Sequence, residues 1–252
     1  MTYEGSQGSG GSMAIIVAAG AGRRMGFDKI IAPLAGRPVL AWSLAAFQEC
    51  HEVRAGVVVC APGRIEEFRL LASPFSKFQM VVAGGAERAD SVLHGLDALK
   101  EFSPDLVAVH DAARPLITPS LISAVIGAAA EWGAAVAAEP VSDTLHRAVG
   151  SHNLTETIPR HNLWAMQTPQ AARYIVLREA IQAASENKRA VTDEISALIA
   201  CGVHPHAVSH TGLNFKVTWP RDLDLAELVL AKRIEDANAT SNSMHDVPSA
   251  LP

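Results

Sequence analysis

The segment Ala18-Ala19-Gly20-Ala21-Gly22-Arg23-Arg24-Met25-Gly26-Phe27-Asp28-Lys29 combines small residues with basic ones. Small side chains let backbone N–H groups approach a phosphate, and Arg23, Arg24 and Lys29 would offset its charge. The G-x-G-x-x-x-G spacing is one residue longer than the dinucleotide fingerprint, and no Gly-Lys-Ser/Thr follows as in a Walker A loop. A glycine turn with solvated cations is the competing reading; it suits an isolated G-x-G better than glycines joined to this much positive charge. A second segment, Gly84-Gly85-Ala86-Glu87-Arg88-Ala89-Asp90-Ser91, permits close approach to a flat or anionic ligand, although alone it reads as a plain turn and helix start. In His110-Asp111-Ala112-Ala113-Arg114-Pro115 an acid stands where cations gather. Asp111 suits a ligand hydroxyl or Mg²⁺, while Arg114 could simply pair with it. Asp143-Thr144, Arg160, Gln167-Thr168-Pro169-Gln170 and Thr192-Asp193-Glu194 complete the polar set, the last reading most simply as a helix cap. Lys216, within a strand-like Asn214–Thr218, lies either on a solvated face or in a site. Cys201, His204 and His206 could be drawn as metal ligands, but their spacing fits edge-strand or surface histidines better.

These segments need a scaffold that brings them to one place. Ala14–Ala18 is a continuous apolar run of the kind buried on both faces of a parallel sheet. Val53–Cys60, Gln79–Ala83, Leu106–His110 and Ala134–Ala138 read as further strands, with helices over Pro38–Glu49, Arg64–Leu71, Arg88–Lys100 and Pro119–Glu131 between them. Such βα repetition predicts an α/β fold, an open, mostly parallel sheet in three layers, whose ligands bind beyond the carboxyl ends of the strands. The three glycine-rich or acidic segments all follow such strands. From 141 to 160 the pattern becomes irregular and predicts a projecting hairpin. Helical patterning resumes over Ala171–Ser185, Asp193–Ala200 and Pro220–Ile234. Residues 1–12 read as a flexible leader and residues 235–252 as a flexible tail.

Composition narrows the classes. The 252 residues are 49% hydrophobic and 19% charged, with a mean hydropathy of +0.17, enough for a large core and contrary to disorder. A net charge of −5 argues against a general nucleic-acid binder or a basic membrane-surface protein. The three cysteines, Cys50, Cys60 and Cys201, suggest neither a disulfide framework nor a zinc ribbon, and fit a reducing cytoplasm. No apolar run has the length of a membrane span, and no secretory signal is evident.

In order along the chain, AAGAGRRMG…K (18–29), LAGRPVL (34–40), GGAERADSV (84–92), VHDAARP (109–115), DT (143–144), LWAMQTPQ (163–170), TDE (192–194) and NFKVTWPRDL (214–223) resemble the 2-C-methyl-D-erythritol 4-phosphate cytidylyltransferase family. The glycine-rich start is shared by many nucleotidyltransferases, whereas VHDAARP, QTPQ and N-x-K-V-T together are far more specific. The resemblance implies a Rossmann-like nucleotidyltransferase domain over 13–234, with 141–160 as a dimerisation arm of a homodimer. It also implies Mg²⁺ or another divalent cation, and CTP and a polyol phosphate as substrates. By motif, Arg24 and Lys29 would stabilise the transition state, and Arg160 and Lys216 would hold the methylerythritol phosphate. Ala18, Ala19, Gly20, Gly22, Gly84 and Ser91 would contact the nucleotide. Asp111, Arg114, Thr144, Thr168 and Thr192 would complete the substrate and metal surroundings. A cytidylyltransferase for a pentitol phosphate such as ribitol 5-phosphate is the nearest alternative, and a non-catalytic nucleotide-binding protein a remote one.

The chemistry suits these residues. A phosphomonoester has a second pKa of about 6, so its dianion can attack the α-phosphorus of CTP without a general base. What remains is to position two anions and neutralise developing charge, a task for paired cations.

Overall fold

A computed structural model of the chain describes residues 11–20, 25–186 and 192–245. The first βα unit is β1 (Ser12–Val17), a short hairpin β2 (Pro33–Leu34) and β3 (Arg37–Pro38), and α1 (Val39–Glu49). There follow β4 (Val53–Cys60), α2 (Ile65–Ala72), β5 (Met80–Ala83) and α3 (Arg88–Leu99), which ends in a 3₁₀ turn, then β6 (Leu106–Asp111), α4 (Pro119–Trp132) and β7 (Ala134–Pro140). The chain then forms β8 (Leu145–Val149), β9 (Asn153–Ile158), β10 (Trp164–Arg173), α5 (Tyr174–Glu186), α6 (Glu194–Ala200), β11 (His206–Ser209) and α7 (Pro220–His245).

Seven strands make the central sheet in the order β11-β7-β10-β6-β1-β4-β5. All neighbours are parallel except β10, which runs antiparallel between β6 and β7. Alternation along β1 divides the core into two layers. Ala14 and Ile16 pack with residues of α1, α2 and α4 on one face, while Met13 and Ile15 pack with α3, α5 and α6 on the other. Full burial of each aliphatic side chain contributes roughly 1.5–3 kcal/mol, so the two layers hold the strand ends in fixed register. Among the described residues no helix is long and apolar enough to cross a membrane.

Three expectations are corrected. Residues 171–173 are not helical: β10 continues to Arg173 and α5 begins at Tyr174. The strand is inconspicuous in sequence because Gln167, Thr168 and Gln170 are buried polar residues rather than part of an apolar run. Asn214–Thr218 is not a strand either; its Val217 N–H donates to Ala113 O at 2.8 Å, so it runs as a loop against the segment after β6. At the C-terminal end α7 carries on past Ile234 to His245, where a flexible tail is expected. Residues 1–10 of the expected leader lie outside the described residues, and Ser12 already opens β1. The irregular segment 141–160 contains the antiparallel hairpin β8–β9, exposed along its length except at Ile158.

Candidate active site

The ends of β1, β5 and β6 open onto a cavity of about 590 Å³. One wall is Val17, Ala18, Ala19 and Gly20, carried out of β1 as the Ala18 N–H donates to Val59 O at 2.7 Å. The opposite wall, from Gly85 to Arg88 and Ser91, is the turn into α3. That turn is tight: a Cβ on Gly84 would stand 2.6 Å from Ser91 Oγ and 2.8 Å from Ala19 Cβ, so only glycine lets the two walls meet here. Ser91 Oγ accepts the Gly85 N–H at 3.2 Å and donates to Glu87 O, while Glu87 and Asp90 form a capping box at the start of α3. Small residues and a helix N-terminus thus line the side on which a nucleotide phosphate would lie.

Charged groups close the floor. Lys29, only 9% exposed, donates from Nζ to Val217 O at 2.7 Å and lines the cavity. Asp111, the last residue of β6, accepts Lys216 Nζ on Oδ2 at 2.7 Å and Arg88 Nε and Nη2 on Oδ1 at 3.2 and 3.1 Å. Burial alone would raise the Asp111 pKa, but the charges of Arg88 and Lys216 outweigh it and hold the carboxyl well below the usual carboxylate range. Behind Asp111, Arg88 also forks onto Glu194, and burial pushes that glutamate upward against the pull of the guanidinium.

The remaining expected residues occupy different places. The Arg114 guanidinium does not bond the Asp111 carboxylate; its Nη1 donates to Asn214 O at 2.8 Å, its backbone N–H donates to Asp111 O at 3.0 Å, and burial pushes its pKa down. Thr168 does not reach the cavity. Its buried hydroxyl accepts the Asp111 N–H at 3.1 Å and donates to His110 Nδ1 at 3.0 Å, so it fixes Asp111 from behind. Thr192 is exposed ahead of α6, where Asp193 caps the helix by accepting the Ser196 N–H at 2.9 Å, as the capping reading expects. Thr144 and Arg160 lie at the base of the β8–β9 hairpin; Arg160 bonds Ser142 O and does not join Lys216 in the cavity of its own chain. Gly22 and Arg24 lie outside the described residues.

Sequence reasoning misses Arg88 and Glu194, which read as ordinary helix-start charges, and His110, whose burial is set by neighbouring strands. It also misses Asn214, whose Nδ2 donates to Gln167 Oε1 at 2.8 Å and Thr168 O at 2.9 Å. Those bonds pin the loop bearing Lys216 to β10. Among the described residues no cluster of three or more His, Cys, Asp or Glu side chains could hold a metal unaided, and His206 stacks on Trp132 with ring centroids 5.3 Å apart. Mg²⁺, however, is commonly held by one or two carboxylates plus substrate phosphates. Asp111 lines the cavity and would serve that mode by exchanging a cation partner, since Arg88 and Lys216 engage both of its oxygens.

Comparison with known proteins gives one answer. The family model for 2-C-methyl-D-erythritol 4-phosphate cytidylyltransferase matches residues 12–232. The enzymes of that name from Paraburkholderia phymatum and Pelotomaculum thermopropionicum are 44% and 41% identical over 227 residues, covering 87% of this chain and 96% and 94% of theirs. The crystal structure of the Thermus thermophilus enzyme superposes with a TM-score of 0.70 at 34% identity, over 86% of this chain and 98% of that one.

Proposed function

Since the chain belongs to the 2-C-methyl-D-erythritol 4-phosphate cytidylyltransferase family, we propose that its cavity holds CTP along the β1 loop and the α3 turn, with the acceptor phosphate at Lys216. The protein is a cytidylyltransferase of isoprenoid precursor synthesis, joining CTP and 2-C-methyl-D-erythritol 4-phosphate to give 4-diphosphocytidyl-2-C-methyl-D-erythritol and pyrophosphate. A phosphate oxygen of the acceptor forms the new bond to the α-phosphorus. The bond from that phosphorus to the α,β-bridging oxygen breaks, and pyrophosphate leaves with the electron pair. Lys29, together with Arg24, stabilises the charge that builds on the transferring phosphoryl group and the leaving pyrophosphate. Lys216 orients the acceptor phosphate as a compact point charge. Ala18, Ala19, Gly20, Gly84 and Ser91 shape the nucleotide wall. Asp111 would hold a Mg²⁺ that neutralises triphosphate charge. Arg114 and Thr168 keep Asp111 and the Lys216 loop in place.

Arg160 completes the acceptor site from a second copy of the chain. Leu145, Val149 and Leu154 on the hairpin are 37%, 64% and 67% exposed, an apolar surface suited to docking on a partner in a homodimer. The hairpin then carries Arg160 and Thr144 to the partner's cavity. A cytoplasmic location agrees with the free cysteines Cys50, Cys60 and Cys201. The pentitol phosphate alternative is not favoured, because the family model and the relatives agree on methylerythritol phosphate.

The observation that carries the reading is the meeting of Lys29, Asp111 and Lys216 in one glycine-walled cavity at the strand ends. Pyrophosphate release should be followed with Mg²⁺ and each of the four nucleoside triphosphates, using methylerythritol phosphate and ribitol 5-phosphate as acceptors. Turnover should require CTP and favour methylerythritol phosphate. Preference for the pentitol phosphate, or equal use of the four nucleotides, would overturn it.

A further inference from the structure

Glu194 is a carboxylate with 1% of its side chain exposed, and it does not line the cavity. It is the first residue of α6, and that turn is clamped to β10: Gln170 Oε1 accepts the Ile195 N–H at 3.1 Å while Gln170 Nε2 donates to Asp193 Oδ2 at 3.0 Å. Glu194 is therefore a fixed anchor. Its two oxygens take Nη1 and Nη2 of Arg88, the latter at 3.0 Å, while Nε and Nη2 of the same guanidinium reach only Oδ1 of Asp111. Oδ2 of Asp111 is left to Lys216 at 2.7 Å. Charges alternate along this line from the interior to the cavity: Glu194, Arg88, Asp111, Lys216.

A guanidinium prefers to grip a carboxylate bidentately through two parallel N–H donors. Nothing in the planar shape of Arg88 prevents such a grip on both oxygens of Asp111, which would compete directly with Lys216. Glu194 draws Nη1 the other way. We propose that Glu194 is a positioning residue for cytidylyl transfer: by holding one side of Arg88 it confines that guanidinium to a single oxygen of Asp111 and thereby sets where the Lys216 ammonium meets the acceptor phosphate. The inference rests on the assignment of Lys216 to the acceptor.

The test is a double-mutant cycle in steady-state pyrophosphate release, varying each substrate in turn. Glu194→Gln keeps the shape but removes the charge and turns an N–H donor toward Arg88. It should raise KM for methylerythritol phosphate on the order of tenfold, the scale of one charged hydrogen bond, and leave KM for CTP within about twofold. In a Lys216→Ala background the same substitution should add nothing to the acceptor KM, because the effect passes through Lys216. KM does not depend on the fraction of protein that is folded. If Glu194→Gln does not accumulate, Glu194→Asp, which keeps the charge on a shorter arm, should shift the acceptor KM in the same direction by less. Multiplying effects in the double variant, or equal rises in both KM values, would mark a merely structural role and overturn the inference. An unchanged acceptor KM in Glu194→Gln beside a raised one in Lys216→Ala would overturn it alone. An unchanged acceptor KM in Lys216→Ala would instead remove the assignment of Lys216, and this inference with it.

Discussion

Replacing His110 by glutamine should lessen by ~2 kcal/mol the fall in stability between pH 7 and pH 5. The imidazole is buried at the end of β6, 5.2 Å between centroids from the Phe47 ring, with both nitrogens engaged. Because the Asp111 N–H already donates to Thr168 Oγ1, the hydroxyl proton points to His110 Nδ1, and Nε2–H is left to face Arg114 O at 3.3 Å. This fixes the neutral tautomer; a second proton on Nδ1 would confront a donor. Burial is the main cause that pushes the imidazole from an ordinary 6.5 to about 3, with the charge of Asp111 opposing and that of Arg114 reinforcing. Below pH 6.5 the unfolded chain therefore binds a proton that the native protein refuses, so stability falls with pH and the loss levels off near pH 3. Integrating between those values gives ~2 kcal/mol at pH 5, or roughly 4–8 °C in Tm for a chain of this size. Glu194, raised by burial, works in the opposite sense, and Asp111, held low, acts only under more acidic conditions. Both are present in each protein and drop out of the difference. Urea unfolding at pH 7 and pH 5 measures it, since glutamine is neutral throughout. Equal pH dependence in the two proteins would refute the argument that a buried neutral imidazole sets this window.

Lys29→Met keeps the buried stem and removes the charge, and should lower kcat on the order of 10²-fold in pyrophosphate release; a kcat within threefold of wild type would remove Lys29 from the transition state. Gly84→Ala forces a methyl group against Ser91 and Ala19, an overpacking worth about 1–3 kcal/mol. Calorimetric titration should show CTP binding weakened by about fivefold if half of that cost falls on the nucleotide wall, with the acceptor KM unchanged; unaltered CTP affinity would place the nucleotide elsewhere. Charging the hairpin with Val149→Asp and Leu154→Asp should give monomers by light scattering and raise the acceptor KM as Arg160 is withdrawn. A monomer with wild-type acceptor KM would separate the arm from the site.

What could be read ahead of the structure follows from where each residue finds its partners. Strands β1, β4 and β6 are legible because a strand covered on both faces must be apolar throughout. The start of α4 is legible because Thr118 and Pro119 supply the cap and the first turn from adjacent positions. Strand β10 hides because its buried polar side chains are satisfied by His110, Asp193 and Asn214, all distant in the chain. The site divides along the same line. Glycines and cations beside a strand end announce a phosphate cavity locally, and the family resemblance singles out Lys216. Neither indicates that Arg88 would be shared between Asp111 and Glu194, which stand 23 and 106 residues away. After a strong cap such as Asp193, a glutamate reads as a solvated complement to the helix dipole. It becomes an interior anchor because the fold brings the start of α6 up to Arg88, which reaches Asp111 at the carboxyl end of β6 and, among the described residues, supplies the cation that a buried negative charge needs. The chemistry of the cavity is written locally, whereas the aim of its charges is set by the fold.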